Sequence, residues 1–122
     1  MISDIRLSLG YFDHPKIVEL ALLGGDSAVL SHIRLIVFCG KYRPKGVFSG
    51  LDEVAVMRAA GTTDANFMPL ALRLALIDKM PDGTLEMHDW EQWQPWSFYS
   101  EERSKCARES AKKRWKHLKK YG

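Results

Sequence analysis

The chain has 122 residues, of which 46% are apolar and 27% are charged. These ordinary globular values predict one domain with its own core and exclude a chain that is disordered throughout. The net charge of +3 is an average over two unlike parts. Residues 1–99 carry 9 cationic and 12 acidic side chains, net −3, whereas residues 100–122 carry 9 and 3, net +6. Such asymmetry predicts a C-terminal tail that meets polyanions.

The sequence lacks the patterns that are typical of membrane, secreted, metal-binding and catalytic proteins. No apolar run approaches the ~18 residues of a membrane span, and the N-terminus is not that of a signal peptide, so we expect a cytoplasmic protein without a membrane partner. Cys39 and Cys106 share no metal-binding motif, which predicts no metal site, no cofactor and a buried, reduced Cys39. His88 and Asp89 are neighbours on a predicted strand and would point to opposite faces, and no nucleophile is linked to a histidine. We therefore expect no enzyme.

The first third of the chain predicts a strand and two helices. Apolar and polar residues alternate from Ile5 to Leu9, as is typical of a short strand. Pro15 suits the first turn of a helix, which Gly24-Gly25 would stop. Asp26 or Ser27 then caps a helix that is apolar around most of its circumference, which predicts the central helix of a small domain.

The middle of the chain predicts two short helices joined by a turn. Gly40 would end the central helix, and a loop with three cations then leads to a short edge strand at Val47-Phe48; these cations are Lys41, Arg43 and Lys45. Ser49 is expected to cap the first short helix, and Gly61 to close it. Thr62 or Thr63 caps the second short helix.

A hairpin is expected to follow these helices. Asp82-Gly83 favours a tight type I′ turn, and Leu85 and Met87 alternate with polar residues along the return strand. Trp90 and Trp93 are then expected to plug the core.

A last helix starts at Ser100, with a narrow apolar stripe of Ala107, Ala111, Trp115 and Leu118. It can lie along the body or project from it. The order of elements predicts a mostly helical α+β protein: a winged helix-turn-helix domain over residues 1–96 and a basic helical tail over residues 97–122.

Several stretches are similar to the N-terminal winged-helix domain of phage replication proteins and DnaD-type replisome organisers. They are Phe12-Asp13-His14-Pro15-Lys16-Ile17, Gly46-Val47-Phe48-Ser49, Ala59-Ala60-Gly61, residues 82–90 and the charged tail over residues 102–115. The resemblance implies a domain that binds DNA, associates with itself and helps to initiate or organise replication with a replication protein partner. Family members usually continue into a linker and a second domain.

The second short helix is poorly equipped to read bases, because Arg73 is its only polar side chain between Phe67 and Ile77. Leu72 and Leu76 would lie outside its core stripe, which predicts either a surface for self-association or packing under the tail. Trp96 and Phe98 are further candidates for self-association, or for holding the tail.

The basic tail is the stronger candidate for binding nucleic acid, because clustered cations gain affinity by releasing counterions from phosphates. Its cations are Arg103, Lys105, Arg108, Lys112, Lys113, Arg114, Lys116, Lys119 and Lys120. Lys41, Arg43, Lys45 and Arg73 could extend this surface, and Trp115 could stack on exposed bases. The plain alternative is a solvated helix whose cations balance the acidic body.

Three functions therefore stay open at this point. The first is a DNA-binding accessory domain of phage-type replication whose contacts to single- or double-stranded DNA are mainly electrostatic and largely non-specific. The second is a protein-interaction module that forms homo-oligomers or docks a replication protein. The third is a small transcriptional regulator, which would need sequence-dependent binding to duplex DNA.

Overall fold

The computed structural model describes the backbone of residues 4–121 and the side chains of residues 4–116. The chain is mostly helical with a small antiparallel sheet, so the expected α+β class is confirmed. In chain order the elements are α1 (Pro15–Tyr42), α2 (Glu53–Ala59), α3 (Phe67–Arg73), β1 (Ile77–Lys79), β2 (Leu85–Met87), α4 (Trp90–Trp93), α5 (Pro95–Phe98) and α6 (Ser100–Tyr121).

Helix α1 consists of two helical halves that meet at Gly25. It begins at Pro15, and the Nδ1 atom of His14 caps it by accepting the backbone N–H of Lys16 at 3.2 Å. Gly25 has φ 75° and ψ 178°, a conformation that breaks the helix and that glycine adopts at little cost. The predicted break is therefore confirmed. The predicted end at Gly40 is wrong, because the helix continues to Tyr42 and the N–H of Arg43 still bonds the carbonyl of Cys39.

The predicted strand from Ile5 to Leu9 is absent from the described residues. The Gln94 side chain occupies the place of a partner strand: its Oε1 accepts the backbone N–H of Arg6 at 3.0 Å, and its Nε2 donates to the Arg6 carbonyl. Gln94 is buried, so its two bonds to the Arg6 backbone satisfy a side-chain amide that would otherwise lack hydrogen-bond partners.

The sheet pairs β1 with β2, and an isolated bridge adds Val47 to the other side of β2. The N–H of Phe48 bonds the carbonyl of Leu85 at 2.8 Å, so the predicted edge position of Val47-Phe48 is present as a bridge. The turn is not type I′. Within it only Gly83 has a positive φ, and Met80 and Thr84 close a three-residue loop.

Both short helices end in the same backbone motif. In each, an amide bonds a carbonyl five residues back around a left-handed residue, which is Gly61 after α2 and Ala75 after α3. Their starts differ from the prediction, because Asp52 caps α2 by accepting the N–H of Ala55 and α3 follows Asn66. Turns in which side chains accept nearby backbone amides occupy the predicted cap positions before α3.

One hydrophobic core joins α1, α2, α3 and the sheet. Its largest fully buried apolar side chains are Leu20, Leu35, Cys39, Phe48, Val56, Met68, Ile77 and Leu85. Cys39 is a free thiol, as predicted, and burial raises its pKa to about 12. Trp90 lies in the core and donates its indole N–H to the carbonyl of Pro44 at 2.8 Å. Trp93 is 46% exposed, so the expectation that it plugs the core is wrong.

By length and composition α1 could cross a membrane, since its most apolar window of 18 residues has a mean hydropathy of 1.5. A helix at the centre of a soluble core has the same composition, and α1 supplies ten of the buried residues. The absence of a membrane partner stays a prediction.

Candidate nucleic-acid interface

Helix α6 leaves the body as an exposed arm. Every side chain from Lys105 to Lys116 is exposed to solvent, so over these residues the helix projects and does not lie along the body. At 1.5 Å per residue this stretch is about 17 Å long. Glu101 and Glu102 lie in the first turn, where negative charge complements the helix dipole.

The cations of α6 concentrate on one face. Residues spaced by three or four positions share a side of a helix, and Lys105, Arg108, Lys112 and Lys116 follow that spacing. Glu109 borders the same side, so this basic face has four cations and one carboxylate at its edge. Arg114 lies on the opposite side, and Lys113 lies between the two sides. The small and aromatic residues Ala107, Ala111 and Trp115 form a stripe beside the basic face, and Trp115 is 66% exposed. Lys119 and Lys120 lie outside the residues whose side chains are described.

Lys45 fixes the root of α6 to the body. Its ammonium lies 2.6 Å from the Glu102 carboxylate and 4.3 Å from the centre of the Phe98 ring. The Lys45 ammonium holds the pKa of the Glu102 carboxyl below its usual value. The sequence predicts Lys45 in the nucleic-acid surface; in the structure its ammonium is paired with Glu102 of the same chain, and its contact with DNA stays a prediction.

A second contact at the root pairs Arg103 with Trp96. The Arg103 guanidinium lies 3.4 Å from the centre of the Trp96 ring, a distance typical of a cation–π contact. Next to it, the Tyr99 hydroxyl donates to Glu91, and the Ser97 hydroxyl donates to the carbonyl of Pro44. Trp96 and Phe98 thus contact the residues at the root of the tail, and because Trp96 is 50% exposed their use in self-association stays a prediction.

The remaining cations of the predicted surface lie on the body. Lys41 is exposed near the Tyr42 ring. The Arg43 guanidinium donates to the carbonyls of Tyr42 and Ser49, and its Nε is buried without a hydrogen-bond partner among the described residues. Arg73 is exposed at the end of α3.

The expected surface of exposed leucines is wrong. Leu76 is buried, with 7% of its surface exposed, and Leu72 is half-buried against the core. The cause is the end of α3 at Arg73: the left-handed turn at Ala75 redirects the chain, so Leu76 does not continue the helix periodicity on which the prediction rested.

The histidines of the body occupy sites that their sequence positions did not reveal. Buried His32 contacts the Tyr11 hydroxyl through Nδ1 at 2.6 Å, and desolvation lowers the His32 pKa to about 4 and raises that of Tyr11. His88 lies between two carboxylates, with Nδ1 2.7 Å from Asp78 and Nε2 3.3 Å from Asp89. The left-handed backbone of Asp89 turns its carboxylate back toward His88, so the expectation of opposite faces is wrong.

His14, His32 and His88 also line a cavity of about 310 Å³ beneath the N-terminal segment. Among the described residues, no group of three His, Cys, Asp or Glu side chains is placed to hold a metal ion. No family model, curated protein or solved structure matches the chain.

Proposed function

We propose that the chain is a non-enzymatic, DNA-binding accessory domain of phage-type replication initiation, which binds DNA mainly by electrostatic contacts through α6. One observation carries the proposal: an exposed helix presents four cations on one face beside an exposed tryptophan. Cations at this spacing can follow a phosphate backbone, and an indole can stack on an unpaired base. The replication role rests on the resemblance of the sequence stretches given above.

The order of elements in the body supports a winged helix-turn-helix. A long helix, a bridged residue at Val47, two short helices and a hairpin follow one another, and Val47 and β1 flank β2. In this arrangement α3 would be the helix that faces a major groove. Arg73 is its only charged side chain, and the hairpin tip carries Asp82, so the body offers little to attract phosphate or read a base.

A matched pair of variants tests the proposal on the full chain. The tail variant changes Lys105, Arg108, Lys112 and Lys116 to Gln, and the body variant changes Arg6, Arg34, Arg58 and Lys79, none of them a candidate for the interface, to Gln. All eight cations are exposed, and both variants lower the net charge equally. Glutamine keeps a good helix propensity, so α6 should persist in the tail variant.

Fluorescence anisotropy with labelled single- and double-stranded DNA at low salt is the measurement. The tail variant should bind both forms more than about 100-fold more weakly, because four phosphate contacts are lost, while the body variant should stay close to the original chain. Equal losses in the two variants would contradict the tail as the interface. Strong preference for one duplex sequence would favour the transcriptional regulator instead.

The second candidate is a module that associates with itself. The observation that favours it is an apolar groove on α1 whose large side chains are left exposed to solvent, because large exposed apolar patches are typical of interaction surfaces.

A further inference from the structure

The groove lies between the two halves of α1 and has a volume of about 470 Å³. Its floor includes the buried side chains of Ile17 and Val29. Its walls are exposed apolar side chains: Phe12 is 62% exposed, Leu22 81% and Leu30 51%. Covering such side chains is worth roughly 25 cal/mol per Å² of apolar area, so the groove favours an apolar occupant.

The chain around the groove is acidic. Residues 12–33, which supply the whole lining, contain three carboxylates, from Asp13, Glu19 and Asp26, and a single cation, Lys16. The Lys16 ammonium is already hydrogen-bonded within the chain, since it donates to the carbonyl of Ala75 at 3.0 Å. Asp26 itself lines the groove. An occupant that combines an apolar stripe with positive charge is therefore complementary to this surface.

Helix α6 has both properties. Ala107, Ala111 and Trp115 repeat every four residues on one side of it and are all exposed. From Ala107 to Trp115 the stripe is about 12 Å long, or just over two helical turns. The adjoining side is the basic face. Within one chain this stripe does not reach the groove, since α6 projects from the body.

We propose that the groove of one copy of the chain binds the Ala107–Trp115 stripe of α6 from a second copy. Charge favours contact between α6 and the groove over contact between two α6 helices or between two grooves. Two α6 helices side by side would each bring the cations of a tail with net charge +6, and two grooves would each bring the acidic segment, whereas helix against groove joins opposite charges. If the exchange is reciprocal, the pair is a closed dimer with two identical contacts. The basic face adjoins the stripe and remains open to DNA; Trp115 is covered by the groove in this dimer, so base stacking by its indole belongs to the undimerised chain.

This inference deepens the self-association candidate and rests on it. Sedimentation equilibrium of the full chain tests it with Leu22→Gln in the groove and Trp115→Gln on the stripe. Leu23→Gln is the matched control, because Leu23 is 52% exposed on the same helix but does not line the groove. We expect the original chain and the control to dimerise equally. Leu22→Gln and Trp115→Gln should each weaken the dimer by at least about 10-fold.

Mixing the two weakened variants identifies the pairing. One heterodimer contact then joins an intact α6 to an intact groove, so the mixture should associate more tightly than either variant alone. Loss with Trp115→Gln but not Leu22→Gln would mean that α6 pairs with α6, and the reverse would mean that groove pairs with groove; either overturns the inference but leaves self-association standing. A monomer at every concentration would overturn both.

Discussion

The body and the α6 arm differ in what holds them in place. Residues from Tyr11 to Trp90 build one core around α1, whereas from Lys105 to Lys116 no side chain is buried. The acidic body thus supplies stability, and the basic arm supplies charge. Changes in the two regions should therefore have separate effects: core changes should alter the free energy of unfolding, and, under the proposed function, arm changes should alter affinity for DNA.

The largest expected effect is that of Phe48→Ala. Phe48 has no exposed surface and stacks near Phe38, so its truncation leaves a cavity in the core. We expect a loss of about 3 to 5 kcal/mol in the free energy of unfolding. Urea denaturation followed by circular dichroism measures it. Lys113→Ala in the arm is the control and should change the free energy of unfolding by less than about 0.5 kcal/mol. Comparable losses in both variants would contradict the claim that the body alone supplies stability.

Gly46→Ala should follow in size. Gly46 has φ 75°, and an added Cβ would lie 2.4 Å from Cγ of buried Trp90. Backbone strain and overpacking together should cost about 3 to 4 kcal/mol in thermal or urea denaturation. Gly50→Ala is the matched control, because Gly50 has φ 76° with nothing within 4 Å of the added atom. It should cost only about 1 kcal/mol, and equal losses would show that contact with Trp90 does not matter.

The body should also lose stability in acid through His32. Its pKa is lowered from 6.5 to about 4 by burial, so the unfolded chain binds the proton more readily. The contribution of neutral, buried His32 to the free energy of unfolding is therefore fully present above pH 6.5. As the pH falls from 6.5 to 4, this contribution should be lost, which lowers the free energy of unfolding by about 2 to 3 kcal/mol. Urea denaturation across this range should show a shallower pH dependence for His32→Gln. An unchanged slope in that variant would assign the acid sensitivity to other groups.

The smallest expected effect is a gain. Ala75 holds a left-handed conformation with φ 55° at the end of α3, where a glycine carries less strain. Ala75→Gly should therefore raise the free energy of unfolding by roughly 0.5 to 1 kcal/mol. Ala55→Gly inside α2 is the control and should lower it by about 1 kcal/mol. A loss in both variants would mean that the turn at Ala75 is not strained.

Local signals in the sequence predicted much of the body. Pro15, Gly24-Gly25, Gly61 and the alternation of Leu85 and Met87 act through backbone preferences and burial, and the structure has the expected feature at each. Ala75 ends α3 as Gly61 ends α2, but alanine gives no such signal, so helix periodicity places Leu76 outside the core stripe, whereas the structure buries it.

The other differences depend on contacts distant in sequence. The segment from Ile5 to Leu9 alternates like a strand, yet its partner is the side chain of Gln94, 88 positions away from Arg6. Lys45 resembles an ordinary loop cation until the fold brings it to Glu102, 57 positions away. Neither pairing has a local signal. The cations of α6 depend on no such contact, so they could be named as candidates from their charge alone, and their role in binding stays a prediction.

The most decisive experiment on α6 as the DNA interface measures how DNA affinity depends on salt concentration. The logarithm of the binding constant falls with the logarithm of salt concentration by about 0.9 per phosphate contact on duplex DNA. If the four cations of the basic face each contact a phosphate, the slope of the tail variant should be shallower by about 3 to 4 than that of the original chain. The body variant should have an unchanged slope. An unchanged slope in the tail variant, with a flatter one in the body variant, would contradict the account.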